Sequence, residues 1–266
     1  MSKPIFHHLR PLAGLVVLEA RRTRLPLIAL LVALAGMGLA QFVAQIALTE
    51  TDLIRVTLLA ALYRLVAVFI LASFVVASVQ REFADQGVQL ALSLPITRAN
   101  FCLGKLAGFG ACAVALAMLF ALALWLAPHV GAGIPWINLG CWTASLAAEL
   151  ILVAALATFC AFSLSSSTGA IAAVTGFYLL ARSVGALQLI AAGPVNKDDR
   201  LWQGPLDYVV DAIGLLLPRL DVFTSTAWLT GTAPGASELG IVFGQAALYV
   251  VLLAAALMFD FHRREL

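Results

Sequence analysis

The chain has 266 residues, of which 62% are hydrophobic and 11% are charged, and its formal net charge is +2. Soluble domains are roughly half apolar and about a quarter charged, so this composition excludes a soluble globular protein and indicates an integral membrane protein. The small net charge gives no reason to expect a nucleic-acid partner.

The first 24 residues predict an amphipathic helix that lies at the membrane surface. Apolar residues recur at helical spacing from Leu9 to Ala20, and the same segment is basic. Its basic residues are Lys3, Arg10, Arg21, Arg22 and Arg24. The apolar run that follows, from Leu25 to about Leu48, is long enough to span a bilayer, so we interpret it as an uncleaved first transmembrane helix.

Five further apolar runs each approach the roughly 20 residues that a membrane-spanning helix requires. They extend from about Ile54 to Val79, Phe101 to Ala127, Leu139 to Phe162, Thr168 to Ala192 and Leu239 to Phe259. The predicted fold is therefore all-α, a single domain over residues 1–266 with six transmembrane helices.

A seventh span is not predicted within the long connection at residues 193–238. Its apolar part, from Tyr208 to Leu217, is short, is interrupted by Asp211 and is closed by Pro218. We interpret it as a short re-entrant or interfacial helix in an outer loop.

Lysine and arginine near the ends of the spans predict the orientation of the chain. They cluster in the amino-terminal segment, in the connection between spans two and three, and in the carboxyl-terminal tail, whereas the alternate loops are uncharged or acidic. Both termini are therefore predicted to face the cytoplasm. All five tryptophans fall toward the opposite ends of the spans, which predicts an outer aromatic belt.

Several kinds of chemistry are disfavoured by the sequence. The four cysteines lie in or beside apolar runs without CxxC spacing, which favours buried small side chains over a metal site or disulfides. There is no GxxxxGK[ST] phosphate loop, so we expect the chain itself to bind no ATP. We also expect it to bind no other cofactor and no metal. An intramembrane enzyme is disfavoured because no histidine lies within a span and no HExxH motif occurs.

The connection from Gln80 to Lys105 is the longest charged segment between two spans. Its apolar residues repeat at helical spacing: Phe83, Gly87, Leu90 and Leu94. Its polar residues cover much of the remaining surface: Arg81, Glu82, Asp85, Gln86 and Gln89. Pro95 ends the pattern. The segment predicts a short helix under the membrane surface, which is either a docking helix or an ordinary loop helix.

The same segment carries a resemblance to a known family. An acid, a glycine, an apolar run ending in LSLP, an arginine and a GK pair follow in order: Glu82, Gly87, Leu92 to Pro95, Arg98, Gly104 and Lys105. This order resembles the loop after the second span in permeases of the second class of ABC exporters (ABC-2). The resemblance extends to the basic first helix, the six spans, the segment from Leu215 to Leu229 and the closing FHRREL. The chain departs from the pattern at Val88, where the family commonly has threonine.

The resemblance implies a coupling helix within residues 80–100 that docks on a cytosolic ABC ATPase. The implied contact residues are Arg81, Glu82, Phe83, Asp85, Gln86, Gly87, Leu90, Leu94, Pro95 and Arg98. It also implies an ATPase dimer that carries ATP and Mg, a second permease copy or sister permease, and a bacterial inner membrane. On this basis, charge reversal at Glu82 and Asp85 is expected to uncouple the ATPase without preventing folding. A secondary carrier or a membrane scaffold is the alternative.

Three ionisable residues lie inside the predicted spans, each about ten residues from an outer end: Arg64, Glu149 and Arg182. At 1.5 Å per residue all three lie roughly 15 Å deep, near the middle of the bilayer. They predict either an ion pair that fixes helix packing or a polar patch along a translocation pathway. Gly104, Gly108 and Cys112 recur at every fourth position, which predicts close helix packing.

Overall fold

We describe the fold from a computed structural model, which defines residues 6–46, 51–85, 98–128, 130–191 and 217–263. The helices are α1 (Phe6–Arg22), α2 (Leu25–Ile46), α3 (Thr51–Ala84), α4 (Arg98–Leu126), α5 (Trp136–Ser163), α6 (Ser167–Ala191), the single turn α7 (Ala227–Thr230) and α8 (Ala236–Arg263). A 3-10 turn, Gly131–Gly133, joins α4 to α5.

Over these ranges, six helices are long and apolar enough to cross a membrane, as predicted from the sequence: α2, α3, α4, α5, α6 and α8. The described residues thereby confirm an all-helical fold with six helices of membrane-spanning length. Consecutive spans are antiparallel, so the bundle has two ends. We name the end with the α4–α5 and α6–α8 connections the outer end and the opposite end the inner end, following the predicted orientation.

The helix α5 forms the centre of the bundle. In its most apolar 18-residue stretch 83% of the residues are buried, compared with 17% in α8 and 28% in α2. The helices α3, α4, α6 and α8 all pack against α5. Trp142, in the second turn of α5, is fully buried, so it belongs to this core and the prediction that it joins the outer aromatic belt is wrong.

The helix α1 packs along the inner half of α4, and glycine makes the approach possible. A Cβ atom at Gly104 would lie 2.9 Å from the Leu12 Cβ, and one at Gly108 would lie 2.7 Å from the Val16 Cβ. The close packing predicted for this glycine stripe is confirmed. The helix predicted within residues 1–24 is present, and its location at a membrane surface stays a prediction. Arg24, at φ 58°, turns the chain from α1 into α2.

The outer connection between α6 and α8 re-enters the bundle over residues 217–226. Leu220, Phe223 and Thr224 are fully buried there, although the segment forms no regular helix. At the outer end of α5, the Asn138 side-chain amide donates to the carbonyl oxygens of Trp228 at 2.7 Å and Gly231 at 2.9 Å, where the chain leaves the bundle. We call residues 217–226 the re-entrant segment. The helix predicted from Tyr208 to Leu217 lies, apart from its last residue, outside the described residues.

Candidate functional site

A buried carboxyl group at the middle of α5 lies at the centre of the candidate site. Glu149 is half-way along the 28-residue helix and has no exposed surface. The Tyr178 hydroxyl on α6 donates to its Oε1 at 2.9 Å, and the Thr224 hydroxyl of the re-entrant segment donates to its Oε2. Both oxygens of this carboxyl group therefore have partners inside the protein, which a buried acid requires.

Arg182 on α6 links Glu149 to the backbone of the re-entrant segment. Its Nη1 lies 3.4 Å from Glu149 Oε1 and also donates to the carbonyl oxygens of Leu220 at 2.6 Å and Phe223 at 3.2 Å. Irregular backbone at membrane depth leaves carbonyl groups without helical partners, and each such group is costly in hydrocarbon. The guanidinium group of Arg182 satisfies two of them.

Arg64 on α3 binds the same segment. Its Nη1 donates to the Thr224 carbonyl oxygen at 3.1 Å, and its guanidinium group also lies against the Tyr178 hydroxyl. Its Nε is buried without a hydrogen-bond partner, and it forms no ion pair with a described carboxylate. Insertion scales give about 3 kcal/mol for an arginine at the centre of a spanning helix, so this side chain is costly where it lies.

Thr224 is the residue at which α3 and α5 both bind the re-entrant segment. It has φ 47°, a left-handed conformation that is uncommon for a β-branched residue. Its backbone N–H donates to the Ser145 Oγ at 3.0 Å, its hydroxyl donates to Glu149 and its carbonyl oxygen accepts from Arg64. Because three polar groups from α3 and α5 bind one residue, the surrounding structure holds this strained conformation in place.

A close approach between α6 and the re-entrant segment completes the arrangement. A Cβ atom at Gly185 would overlap the carboxylate of Asp221, so a larger residue at that position of α6 would displace this side chain. Asp221 Oδ2 lies 3.5 Å from Arg219 Nη2, and its Oδ1 is buried without a partner. The carboxylate is thus wedged between α6 and the segment that carries it.

An open cleft with a volume of about 580 Å³ lies between the outer part of α3 and this cluster. Its polar lining comprises Thr57, Arg64, Arg182, Asp221, Ser225 and Thr226. We call it the arginine cleft. Two arginines, one aspartate and three hydroxyl-bearing residues therefore line one cavity, which extends along α3 from Ile54, near its outer end, to Arg64.

The structure therefore brings together the three ionisable residues predicted within the spans. Arg182 and Glu149 form the predicted ion pair, and Arg64 joins them through Thr224. Whether the cluster fixes packing or lines a pathway stays open at this point. The sequence reasoning missed Ser145, Tyr178 and Thr224, whose uncharged side chains look ordinary in an apolar chain. The hydroxyl-rich run that begins at Thr224 in the outer connection was the one available signal.

The predicted coupling residues fall into three groups. Gln86, Gly87, Leu90, Leu94 and Pro95 lie outside the described residues, and Arg98 begins α4 with a side chain that is not described. The remaining four, Arg81, Glu82, Phe83 and Asp85, lie at the inner end of α3.

Three of those four residues contact other parts of this chain. Arg81 Nη1 lies 3.8 Å from Glu19 Oε1, and Glu82 Oε2 lies 2.8 Å from Lys105 Nζ. The Phe83 ring packs edge-on against Phe162, with the centroids 5.2 Å apart. Since Glu82 is bound to Lys105, reversing its charge would disturb the protein itself.

Asp85 is the one exposed acid among the described coupling residues. Its backbone N–H donates to the Arg81 carbonyl oxygen at 2.9 Å, so it still belongs to the helical end of α3. It is therefore the position at which a change of charge tests an external contact with the least internal disturbance.

Further polar contacts bind the inner ends of the helices to one another. The Ser78 hydroxyl donates to Glu19 Oε2 at 2.7 Å, which joins α3 to α1. The Gln80 amide donates to the carbonyl oxygens of Ala161 and Leu164, both at 2.9 Å, which joins α3 to the end of α5. The inner end of α3 is therefore bonded to α1, α4 and α5.

Comparison with models of known protein families finds no match to this chain, and comparison with curated protein sequences finds none either. The described part of the chain is all-helical and has six candidate membrane-spanning helices. The ABC-2 resemblance stays a prediction.

Proposed function

We propose that the chain is the membrane-spanning permease subunit of an ATP-driven exporter of the second ABC class. Its partners are a second permease copy or sister permease and a dimer of cytosolic ATPase subunits, which carry ATP and Mg. The chain supplies the pathway, and the ATPase supplies the energy. Residues 80–100 form the contact between them.

The observation that carries this proposal is the way α3 connects the two ends of the bundle. Its 34 residues extend over roughly 50 Å, whereas the hydrocarbon core of a bilayer is about 30 Å thick. Its inner end is bonded to α1 through Glu19, to α4 through Lys105 and to α5 through Gln80. A force applied at residues 86–97 therefore acts on four helices together.

The same helix reaches the buried cluster. Arg64 lies 20 residues before the inner end of α3, roughly 30 Å along the helix axis, and binds the re-entrant segment at Thr224. In the proposed mechanism, ATP-driven closure of the ATPase dimer displaces the inner end of α3. The helix then transmits that displacement to Arg64 and to the arginine cleft, which alternates between access from the two sides.

A secondary carrier without an ATPase is the second candidate function. Carriers commonly place substrate sites near the middle of the membrane, where helices are broken and irregular backbone lines a cavity. The re-entrant segment and the charges at the arginine cleft favour this alternative. A dependence of transport on ATP hydrolysis distinguishes the two candidates.

The docking contact is tested with Asp85→Lys. We expect a tagged chain, purified in mild detergent from its own source membranes, to carry a stoichiometric ABC ATPase with vanadate-sensitive ATP hydrolysis. Asp85→Lys is expected to lower the amount of bound ATPase by about tenfold or more, because an interfacial charge is replaced by its opposite. Mass spectrometry and hydrolysis assays on the purified material measure both quantities.

Glu238→Lys is the matched control, since Glu238 is also an exposed acid but lies at the outer end, in the first turn of α8. We expect this variant to retain the bound ATPase. Absence of any ATPase from the wild-type preparation contradicts the exporter proposal. An ATPase that is bound equally by the wild type and by Asp85→Lys contradicts the docking contact.

A further inference from the structure

The described residues around the arginine cleft carry an uncompensated positive charge. Three arginines (Arg64, Arg182, Arg219) face two carboxylates (Glu149, Asp221), which leaves a net charge of +1. Glu149 forms an ion pair with Arg182, and Asp221 forms one with Arg219. Arg64 is the arginine of this group without an ion-pair partner in the described chain.

The geometry of the cleft indicates where that charge acts. Arg64 and Arg182 both line the cavity, and both use Nη1 for their hydrogen bonds to the backbone of the re-entrant segment. Guanidinium groups present several N–H donors in a planar fork, so donors of both side chains remain for a ligand. The hydroxyl groups of Ser225 and Thr226 add neutral hydrogen-bond donors around them, whereas that of Thr57 donates to the Leu53 carbonyl oxygen of its own helix.

We propose that the arginine cleft binds a singly charged oxyanion, with Arg64 as its principal contact and Arg182 as the second. Paired N–H donors match the oxygen atoms of a phosphodiester or carboxylate group. The carboxylate of Asp221 lines the same cavity and opposes the binding of groups with several negative charges. One bound monoanion would bring the net charge of the described cluster to zero.

The oxyanion can belong to a lipid headgroup that enters from the bilayer or to a soluble molecule that enters from the outer side. Both sources present the same chemistry to Arg64. The proposal concerns binding to the chain itself, so it holds for an exporter subunit and for a carrier. Its failure would leave the ATPase test above unaffected.

The experiment uses an anionic phosphodiester headgroup with and without its acyl chains, and phosphatidylcholine, whose choline cation offsets the phosphate charge, as the lipid control. The purified full chain is titrated in detergent with phosphatidylglycerol or phosphatidylcholine, and bound lipid is counted by native mass spectrometry. In the second arm, glycerophosphoglycerol, the same headgroup without acyl chains, is titrated by calorimetry. We expect phosphatidylglycerol to bind about tenfold or more tightly than phosphatidylcholine if the source is a lipid, and glycerophosphoglycerol to bind if the source is soluble.

Arg64→Gln removes the charge and keeps an amide donor for the Thr224 carbonyl oxygen. We expect this variant to bind the headgroup about tenfold or more weakly in whichever arm shows binding, because a charged hydrogen bond to the ligand is lost. Arg55→Gln is the matched control on the same helix, because Arg55 lies outside the cleft and pairs with Asp52 at 2.7 Å. We expect it to bind like the wild type.

Arg64→Lys is the second variant, and it keeps the positive charge. It serves as the test if Arg64→Gln does not fold, as judged by circular dichroism and gel filtration. A lysine lacks the planar fork, so binding several-fold weaker than that of the wild type is expected. The proposal is overturned if neither headgroup form binds selectively, if Arg64→Lys binds like the wild type, or if Arg55→Gln and Arg64→Gln lose affinity equally.

Discussion

The outer and inner halves of the bundle hold their connections in different ways. In the outer half, the partly buried arginines of α3 and α6 and the buried Ser145 of α5 bind the backbone of the re-entrant segment, and Glu149 at the centre has no exposed surface. At the inner end, helix termini are joined by pairs such as Arg81 with Glu19, in which both side chains are partly exposed. Buried polar contacts are costly to break, whereas exposed pairs contribute little.

This difference indicates a division of roles within the proposed transport cycle. Partly exposed inner pairs such as Arg81 with Glu19 can break and re-form at low cost, which suits the part of the molecule that an ATPase would move. The outer cluster is held by buried polar contacts at Glu149 and Thr224. It therefore stays together as one unit, which the proposed displacement of α3 moves through Arg64.

The largest effect is expected for Glu149→Ala, which leaves Arg182 and Arg64 without a carboxylate at the centre of the bundle. Breaking a buried ion pair by removing one partner typically costs about 3–5 kcal/mol. The free energy of unfolding in mixed micelles, followed by circular dichroism, measures the loss. Glu238→Ala, at an exposed acid, is the control and is expected to change little. Equal stability of the two variants would contradict the role of the cluster.

A smaller effect is expected where α1 packs on α4. A Cβ atom at Gly108 would lie 2.7 Å from the Val16 Cβ and 3.1 Å from the Ala13 Cα, so Gly108→Ala forces the two helices apart. Such overpacking typically costs about 1–3 kcal/mol. Gly110→Ala is the control, since nothing lies within 4 Å of the added methyl group. If Gly108→Ala is as stable as Gly110→Ala in the same unfolding assay, the packing of α1 described above is wrong.

The smallest effect is expected for the ion pair between Glu82 and Lys105, whose side chains are 22% and 8% exposed. This pair is more buried than a surface pair and less buried than a fully buried one. We therefore expect Lys105→Glu to lower the free energy of unfolding by about 1–2 kcal/mol. Combining it with Glu82→Lys restores opposite charges and should recover part of the loss. Unfolding measurements on the single and double variants give the coupling energy. A double variant no more stable than Lys105→Glu alone would show that the two side chains do not interact.

The sequence predicted the helices well because each span has a strong apolar signal of its own. The run from Leu25 to about Leu48 became α2, and the glycine stripe at Gly104 and Gly108 predicted the close approach of another helix. The shared depth of Arg64, Glu149 and Arg182 also predicted their association, because a charged side chain in a membrane is costly unless it is paired.

The partners of those charges could not be predicted in the same way. The carbonyl groups of Leu220, Phe223 and Thr224 carry no signal in the sequence, because every residue has one. The re-entrance of residues 217–226 depends on contacts with Ser145 and other residues far away in the chain. Secondary-structure propensity depends on neighbouring residues in the sequence, so it cannot predict contacts between distant ones.

The central claim is that the re-entrant segment reaches the middle of α5, and paired cysteines test it most directly. The Ser145 Oγ lies 3.0 Å from the Thr224 backbone nitrogen, whereas Thr230 lies in α7, beside the point where the chain leaves the bundle. With the four native cysteines replaced by alanine, we expect Ser145→Cys with Thr224→Cys to form a disulfide under mild oxidation, detected by peptide mass spectrometry. Ser145→Cys with Thr230→Cys should not form one. A failure of the first pair to cross-link, or equal cross-linking of both pairs, would contradict the claim.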